Sequence, residues 1–238
     1  MSRLDIIRMD NILRNMASTS EKVLQLRQLL AERFGPPAIL TEEVYPTGVP
    51  SMDEVGVPRA AVTEIVSSPV SSSGGMLLLY GLLHASAQKS ERVVLVDGKG
   101  SFQPKGLPQS DLRRLLWTRC HSTKEALQVV DLAARDGNFP LIVLLLMLNP
   151  SSELKRIPST AWHRLQMLVE KSAAALLVFT PFPQVGCARL RLSVGGDFPL
   201  GKLHRCRSEL LPALRLNVER RRIERRCPDE EIRRSVCA

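Results

Sequence analysis

The stretch from Glu64 to Met76 contains the residue types that come nearest to a chemical site in this sequence. It is rich in Ser and Gly, follows a strand-like segment and precedes a helix-like one, which is where a phosphate-binding loop lies in an α/β nucleotide-binding fold. A working loop reads GxxxxGK followed by Ser or Thr, because Lys neutralises the phosphates and the hydroxyl holds magnesium. Gly74 and Gly75 occupy those last two places, and no Lys occurs from residue 59 to residue 88. We therefore expect a degenerate loop that binds no cofactor, formed by Ser68, Pro69, Ser73, Gly74 and Gly75.

A basic segment late in the sequence is the second candidate site. Five of the seven residues from 220 to 226 are Arg, namely Arg220, Arg221, Arg222, Arg225 and Arg226. Residues 201–238 hold 11 basic and 6 acidic side chains, which is over half of the net charge of +9. Helical spacing would place Arg221 beside Arg225, and we expect the strip to bind DNA phosphates or an acidic partner surface. The alternative is a solubilising segment with local Glu–Arg pairs.

The sequence lacks other catalytic and metal-binding patterns. The four His residues show no metal-ligand spacing, and neither GxSxG nor HExxH occurs. The five Cys are scattered without a CxxC pair, which is typical of reduced thiols in a cytosolic protein. Aromatic residues make up only 4% of the chain, which argues against recognition of single strands by base stacking.

Alternating strand and helix patterns predict the fold that positions these residues. Apolar strand segments are predicted at Val62–Val66, Arg92–Asp97, Leu115–Arg119, Leu141–Leu148 and Ala174–Thr180. Helical patterns are predicted at 18–34, Leu77–Ala87, Thr123–Arg135 and Ser159–Ser172. Apolar strands separated by helices indicate an α/β fold with a mostly parallel central sheet covered on both faces. Alternating polarity at Arg189–Val194 and Leu214–Val218 predicts antiparallel strands at the far edge.

A series of segments, taken in order, resembles the core of the RecA recombinase family. The segments that carry the resemblance are Thr47–Asp53, Pro58–Val66, Val94–Pro104, Leu112–Trp117 and the helix that begins near Glu125. They are similar, respectively, to the TG-x-x-x-LD entry, the GxxxEI strand, the D-x-E-x-x-x-D-P turn, the DxxLL segment and the EAL-type helix of that family. The run covers about residues 47–194, and it implies a RecA-like fold.

Within that group, the chain resembles the ImuA family in two features, the segment Arg114–Arg119 and the short basic C-terminal part. Members of the ImuA family are RecA-like accessory proteins of bacterial damage-inducible mutagenesis. The resemblance implies two partners, an ImuB-like inactive Y-family polymerase and an error-prone replicative-type polymerase. RecA itself, and DNA through the basic segment, are further candidate partners. The SulA cell-division inhibitors are distant relatives of the same group.

Carrying the RecA motifs over residue by residue implies that three parts of an ATPase site are replaced. The Walker A Lys falls on Gly74, the Glu that activates water falls on Lys99, and the Walker B acid falls on Leu145. Asp97 keeps an acid at the strand end, two residues before Lys99. Phosphoryl transfer needs the cation clamp, the metal and a placed water. The resemblance therefore implies a protein without ATPase activity.

The sequence predicts three regions. Residues 1–46 would form an N-terminal helix and linker, 47–218 a RecA-like core with a degenerate loop, and 219–238 a basic, partly disordered tail. We expect a non-catalytic scaffold of translesion DNA synthesis in the bacterial cytoplasm, without membrane contact, since the longest apolar run, residues 139–148, is too short for a span. Two alternatives stay open: a SulA-like inhibitor of a tubulin-like division protein, and a RecA-fold ATPase with a variant loop.

Overall fold

The computed structural model of the chain describes residues 43–67, 74–105, 107–196, 201 and 204–222. All of them belong to the same structural unit. The helix predicted for residues 18–34 lies outside the described residues, as do Ser68, Pro69, Ser73, Arg225 and Arg226. Within the described residues, no helix is long and apolar enough to cross a membrane.

A mostly parallel sheet forms the centre of the fold. The strands in the described part of the chain are β1 (Val44–Tyr45), β2 (Val57–Pro58), β3 (Ala61–Val66), β4 (Val93–Asp97), β5 (Leu115–Arg119), β6 (Leu141–Leu145), β7 (Ala175–Thr180), β8 (Leu190–Gly195) and β9 (Arg215–Arg221). Seven of them make one sheet in the order β5-β4-β6-β7-β3-β8-β9, while β1 and β2 form a separate antiparallel pair. The five predicted apolar strands are confirmed, although β6 ends at Leu145 because the chain turns there.

The last two strands, β8 and β9, confirm the predicted antiparallel pairing, and only β9 lies at the edge of the sheet. β9 runs antiparallel to β8, as the alternating pattern indicated. β8, however, is parallel to its other neighbour, β3. The antiparallel geometry is therefore confined to the β8–β9 pair, and β9 extends to Arg221, beyond the Val218 boundary expected for the core.

Helices cover both faces of the sheet, as the sequence predicts. The described helices are α1 (Pro50–Val55), α2 (Gly75–Gln88), α3 (Gln109–Leu112), α4 (Thr123–Asp136), α5 (Ser151–Leu154), α6 (Ser159–Ser172) and α7 (Arg207–Leu210). One apolar cluster joins α2 to one face of the sheet, and a second joins α4 and α6 to the other face. Every residue of β6 and β7 is buried, which explains why these strands are near-continuous apolar runs rather than alternating ones.

Local signals set the ends of α4. Ser122 caps its N-terminus, since its side chain accepts a 3.2 Å hydrogen bond from the Glu125 amide, and Glu125 Oε2 in turn accepts one of 2.8 Å from the His121 amide. This reciprocal arrangement satisfies amides that have no partner inside the helix. Gly137 ends the helix in the left-handed region at φ 72°, which glycine adopts without steric cost.

Candidate functional site

The carboxyl ends of β3, β4, β6 and β7 meet at one edge of the sheet and bring the expected site residues together. We call this group, made of Ser67, Gly74, Gly75, Asp97, Lys99 and Leu145, the strand-end site. Asp97 and Leu145 are paired across β4 and β6, and the Ser67 amide donates a 2.9 Å hydrogen bond to the Thr180 carbonyl at the end of β7. In parallel α/β sheets, ligands bind at this edge.

The two glycines at the start of α2 have distinct steric reasons for being glycine. Gly74 has φ 82°, in the left-handed region, and its carbonyl accepts a 2.9 Å hydrogen bond from the Leu78 amide. A Cβ on Gly75 would lie 2.2 Å from Ser67 Oγ and 2.7 Å from Ser67 Cβ. A side chain at either position therefore requires local rearrangement. That applies to a Lys at 74 and to a magnesium-binding Ser or Thr at 75.

Asp97 is fully buried, and the loop that follows it surrounds its carboxylate. Oδ1 accepts hydrogen bonds from the Ser101 amide at 2.8 Å and from Ser101 Oγ at 3.0 Å, while Oδ2 accepts one of 2.9 Å from the Phe102 amide. The acid therefore organises the loop after β4. Leu145, beside it on β6, is fully buried, and its carbonyl accepts a 2.9 Å hydrogen bond from the Gly98 amide.

Lys99 points away from this loop and lies near the start of α4. Its Nζ donates a 3.4 Å hydrogen bond to the His121 carbonyl. Hydrogen bonds from the side chain and amide of Thr123 hold the pKa of Glu153 below its ordinary value, and Lys99 contributes a smaller attraction. Lys99 thus contributes a positive charge at the position where the family motif carries its Glu.

Among the described residues of the basic segment, Arg220 and Arg221 hydrogen-bond to other parts of the fold through their side chains, and Arg222 follows directly after β9. Arg220 Nη2 donates hydrogen bonds to the carbonyls of Val185 at 2.9 Å and Ala188 at 3.2 Å. Arg221 Nη2 donates to the carbonyls of Val55 and Gly56. Both residues lie in β9, where successive side chains point to opposite faces, and Arg225, the expected helical neighbour of Arg221, lies outside the described residues. Arg222 is exposed, and its amide donates a 2.7 Å hydrogen bond to the Arg189 carbonyl.

Arg220 and Arg222 belong to a charged row whose other members, Glu64 and Arg191, were not singled out from the sequence. We call Glu64, Arg191, Arg220 and Arg222 the basic edge. Glu64 pairs with Arg191 across β3 and β8, and Arg191 with Arg220 across β8 and β9. Glu64 is fully buried, and its Oε2 accepts a 2.6 Å hydrogen bond from Arg191 Nε. Burial, followed by repulsion from Arg191 and Arg222, lowers the pKa of Arg220. One carboxylate thus faces several guanidinium groups.

The buried Glu64 also fixes the loop after β7. Its Oε1 accepts hydrogen bonds from Thr180 Oγ1 at 3.0 Å, from the Gln184 amide at 2.6 Å and from the Val185 amide at 2.9 Å. Val185 in turn accepts hydrogen bonds from both Arg191 and Arg220. The loop and the strands β8 and β9 therefore share one hydrogen-bonded network.

Comparison with known proteins gives the relationship of the chain. No protein-family model matches it. RecA of Thermus aquaticus is 30% identical over 166 residues, which covers 61% of this chain and 48% of that protein. RecA of Streptomyces coelicolor is 32% identical over 146 residues, covering 54% of this chain and 38% of that protein, and RecA of Streptomyces avermitilis is 32% identical over 109 residues, covering 43% and 28%. The chain is a distant homologue of RecA.

This homology and the observed sheet together confirm the RecA-like fold expected from the motifs. The chain spans less than half the length of the curated relatives it matches. In this RecA-like core, the described residues contain no group of three or more His, Cys, Asp or Glu that could hold a metal ion. The strand-end site is thus built on the RecA-like sheet.

Sequence reasoning missed several residues beside the strand-end site of the RecA-like core. Asn149 is nearly fully buried, and its Nδ2 donates a 2.9 Å hydrogen bond to Thr123 Oγ1, which donates to Glu153 at 2.7 Å. A Cβ on Gly98 would lie 2.5 Å from Asn149 Oδ1. The available signal was the polar Asn-Pro-Ser-Ser-Glu run directly after an apolar strand, because such a run starts a helix at the strand-end edge.

Proposed function

We propose that this RecA-like chain is a non-catalytic accessory protein of bacterial damage-induced translesion DNA synthesis. In this role it is an interaction scaffold for an error-prone polymerase complex in the cytoplasm. The observation that carries the proposal is the poor fit between the strand-end site and a magnesium–nucleoside triphosphate. Because the curated relatives are RecA proteins, we prefer this role to a SulA-like inhibitor of cell division.

Residues of the strand-end site differ from those that phosphoryl transfer requires, and each difference supports the proposal. Gly74 supplies no cation for the phosphates, and Ser67 fills the space that a side chain at Gly75 would need. The oxygens of Asp97 already accept hydrogen bonds from the following loop. Lys99 and Leu145 stand where the family motifs carry acids. A site without a phosphate clamp, a metal ligand and a water-activating base would have no route to hydrolysis, which supports the proposal, and we assign no step to a bound nucleotide.

The proposed partners follow from the resemblance to the ImuA family. They are an ImuB-like inactive Y-family polymerase, an error-prone replicative-type polymerase and, in addition, RecA. DNA is a further proposed partner through Arg222, Arg225 and Arg226. Arg220 and Arg221 contribute by holding β9 to the loop at Val185 and to the end of α1. The side chains that bind DNA phosphates are therefore proposed to begin at Arg222.

Substitution of the basic segment tests this proposal. Arg225→Gln with Arg226→Gln should reduce capture of the co-expressed ImuB-like partner or weaken DNA binding. If DNA is the ligand, each lost phosphate contact should flatten the log–log salt dependence by about 0.9. Arg92→Gln with Arg113→Gln is the matched control, since both side chains are exposed. Unchanged partner capture and unchanged DNA binding in the first variant would contradict the proposed role of the segment.

The structure also changes how a truncation should be made. Ending the chain after Val218 would remove Arg220 and Arg221 from β9 and damage the fold. Ending it after Arg222 keeps β9 and its hydrogen bond to Arg189. The shorter protein should fold and lose partner capture. A protein truncated after Arg222 that still restores damage-induced mutagenesis in cells would contradict the scaffold role of the tail.

A further inference from the structure

A groove between α4 and α6 is a concave feature that the strand-end site and the basic edge do not use. It is open to solvent and has a volume of about 890 Å³. Its apolar lining comes from both helices and from the turn before α6: Leu127, Leu132, Ile157, Pro158, Ala161 and Leu165. Leu132 is 66% exposed at its mouth. We call this feature the helix groove.

The acidic side chains of the helix groove are already engaged. Asp131 accepts 2.7 Å hydrogen bonds from Arg135 on its own helix and from Arg164 on α6. Burial alone would raise the pKa of Asp131, but the hydrogen bonds from Arg164 and Arg135 hold it below its ordinary value. Glu153 accepts a 2.7 Å hydrogen bond from Thr123 Oγ1. Both carboxylates are therefore fixed within the protein.

Two basic side chains on the rim have no such partner. Lys124 and Arg156 are exposed, line the helix groove, and make no side-chain hydrogen bond or ion pair within the described residues. The groove thus offers an apolar floor with two uncommitted positive charges above it. An occupant that complements both features is apolar on one face and acidic beside it.

We propose that the helix groove docks a short amphipathic segment of a partner protein, with Leu-like side chains on its floor and Asp or Glu beside Lys124 and Arg156. Nucleic acid fits less well, because the lining contains no aromatic side chain for base stacking and places Asp131 and Glu153 near any phosphate. The proposal concerns the chemistry of the occupant. It does not depend on the partner being a polymerase subunit.

Two synthetic peptides serve as probes for the full-length protein. Both are fluorescein-labelled 18-residue helices with the same Leu and Ala pattern, one with Glu and the other with Lys at the flanking positions. Fluorescence anisotropy should show the Glu peptide binding about tenfold more tightly than the Lys peptide, because Lys124 and Arg156 attract Glu and repel Lys. A tenfold difference corresponds to about 1.4 kcal/mol. Lys124→Glu with Arg156→Glu should invert that preference, because charge complementarity sets specificity.

A matched pair of leucine variants tests the apolar floor. Leu132→Gln should weaken the Glu peptide by about fivefold or more, as expected for loss of an apolar anchor. Leu116→Gln, at a leucine of similar exposure on β5, should leave binding unchanged. No saturable binding of either peptide, equal binding of both, or binding unaffected by Leu132→Gln would overturn the proposal.

A second copy of the chain is the competing occupant. Sedimentation velocity decides between them. One outcome is that the chain self-associates, with Leu132→Gln abolishing the association and the Glu peptide failing to compete with it. That result would overturn the proposal in favour of a homodimer surface. The peptide assay does not depend on nucleotide binding or on partner capture by the basic segment. Failure of the groove proposal is therefore distinguishable from failure of the proposed scaffold role.

Discussion

The strand-end site and the basic edge each bury one carboxylate completely, but the two acids have different surroundings. Asp97 accepts hydrogen bonds from its own following loop, Ser101 and Phe102. Glu64 accepts them from Arg191, which is 127 positions away, and from the loop after β7. The carboxylate of Asp97 is satisfied by neutral groups that lie close to it in the sequence. Glu64 lies in a region where guanidinium groups outnumber carboxylates.

A buried acid at a strand can therefore stabilise the fold without any part in catalysis. At the strand-end site, a carboxylate that keeps its place in the family motif is committed to loop structure. At the basic edge, a carboxylate allows Arg191 to be buried, while the surplus positive charge remains near the surface at Arg222. The region with uncommitted charge is therefore the better candidate for a polyanionic partner.

Replacing Glu64 should have the largest effect on stability. Glu64→Ala leaves Arg191, whose side chain is 15% exposed, without its carboxylate, and loss of one partner from a buried pair costs at most about 3–5 kcal/mol. Urea unfolding of the full chain measures the loss. Glu54→Gln is the control, because Glu54 is exposed and makes no side-chain hydrogen bond or ion pair within the described residues. A loss below about 1 kcal/mol would show that the network carries little of the stability.

Replacing Asp97 should cost less, because its partners are neutral amides and a hydroxyl. Asp97→Asn turns one acceptor towards donors as an NH₂ group, and an unsatisfied buried donor costs about 1–3 kcal/mol. The loop after β4 should exchange its amide hydrogens faster, as hydrogen–deuterium exchange would show. Asp136→Asn, on the exposed end of α4, is the control. Unchanged exchange of the Ser101 and Phe102 amides would contradict the structural role of Asp97.

The fold was largely predictable from the sequence because it rests on local patterns. The apolar runs at β6 and β7 indicated buried parallel strands, and Ser122 and Gly137 marked the ends of α4. Glu64 was not identifiable as the centre of a network, because its partners depend on the register between strands far apart in the sequence.

The basic segment shows where local reasoning fails. A run of Arg after a short alternating segment reads equally well as a helix or as an exposed tail. Pairing with β8 instead extends β9 to Arg221, and tertiary contacts decide such cases. The same pairing commits Arg220 and Arg221 to backbone carbonyls. These carbonyls lie far from the two Arg residues in the sequence, so the pairing could not be predicted without the structure.

Thiol reactivity should distinguish the two regions electrostatically. Burial, then Glu125 and Asp97, raises the pKa of Cys120 to about 11. Burial also raises the pKa of Cys187, but Arg222 and Arg220 oppose that rise. The thiolate is the reactive form, so at pH 8 Cys187 should react faster than Cys120 with iodoacetamide. Peptide mass spectrometry follows each residue, with the exposed Cys206 as the fast reference. Equal rates for Cys120 and Cys187 would remove this electrostatic contrast.

Reversing the charge at Lys99 should have the smallest effect. Lys99→Glu restores an acid at the motif position, but Gly74 and Leu145 still lack the phosphate cation and the second acid. The stability change should stay within about 0.5 kcal/mol, as for most surface substitutions, and phosphate release from ATP should remain at background. Measurable turnover in this single variant would show that the strand-end site retains the other parts of an ATPase.

Calorimetric titration of the full-length protein with magnesium–ATP measures whether the strand-end site holds a nucleotide. We propose that it does not, because Gly74 provides no cation and Ser67 fills the space beside Gly75. We expect no saturable heat up to about 1 mM ATP, which corresponds to a binding free energy weaker than about −4 kcal/mol. Saturable binding at micromolar ATP would contradict the account.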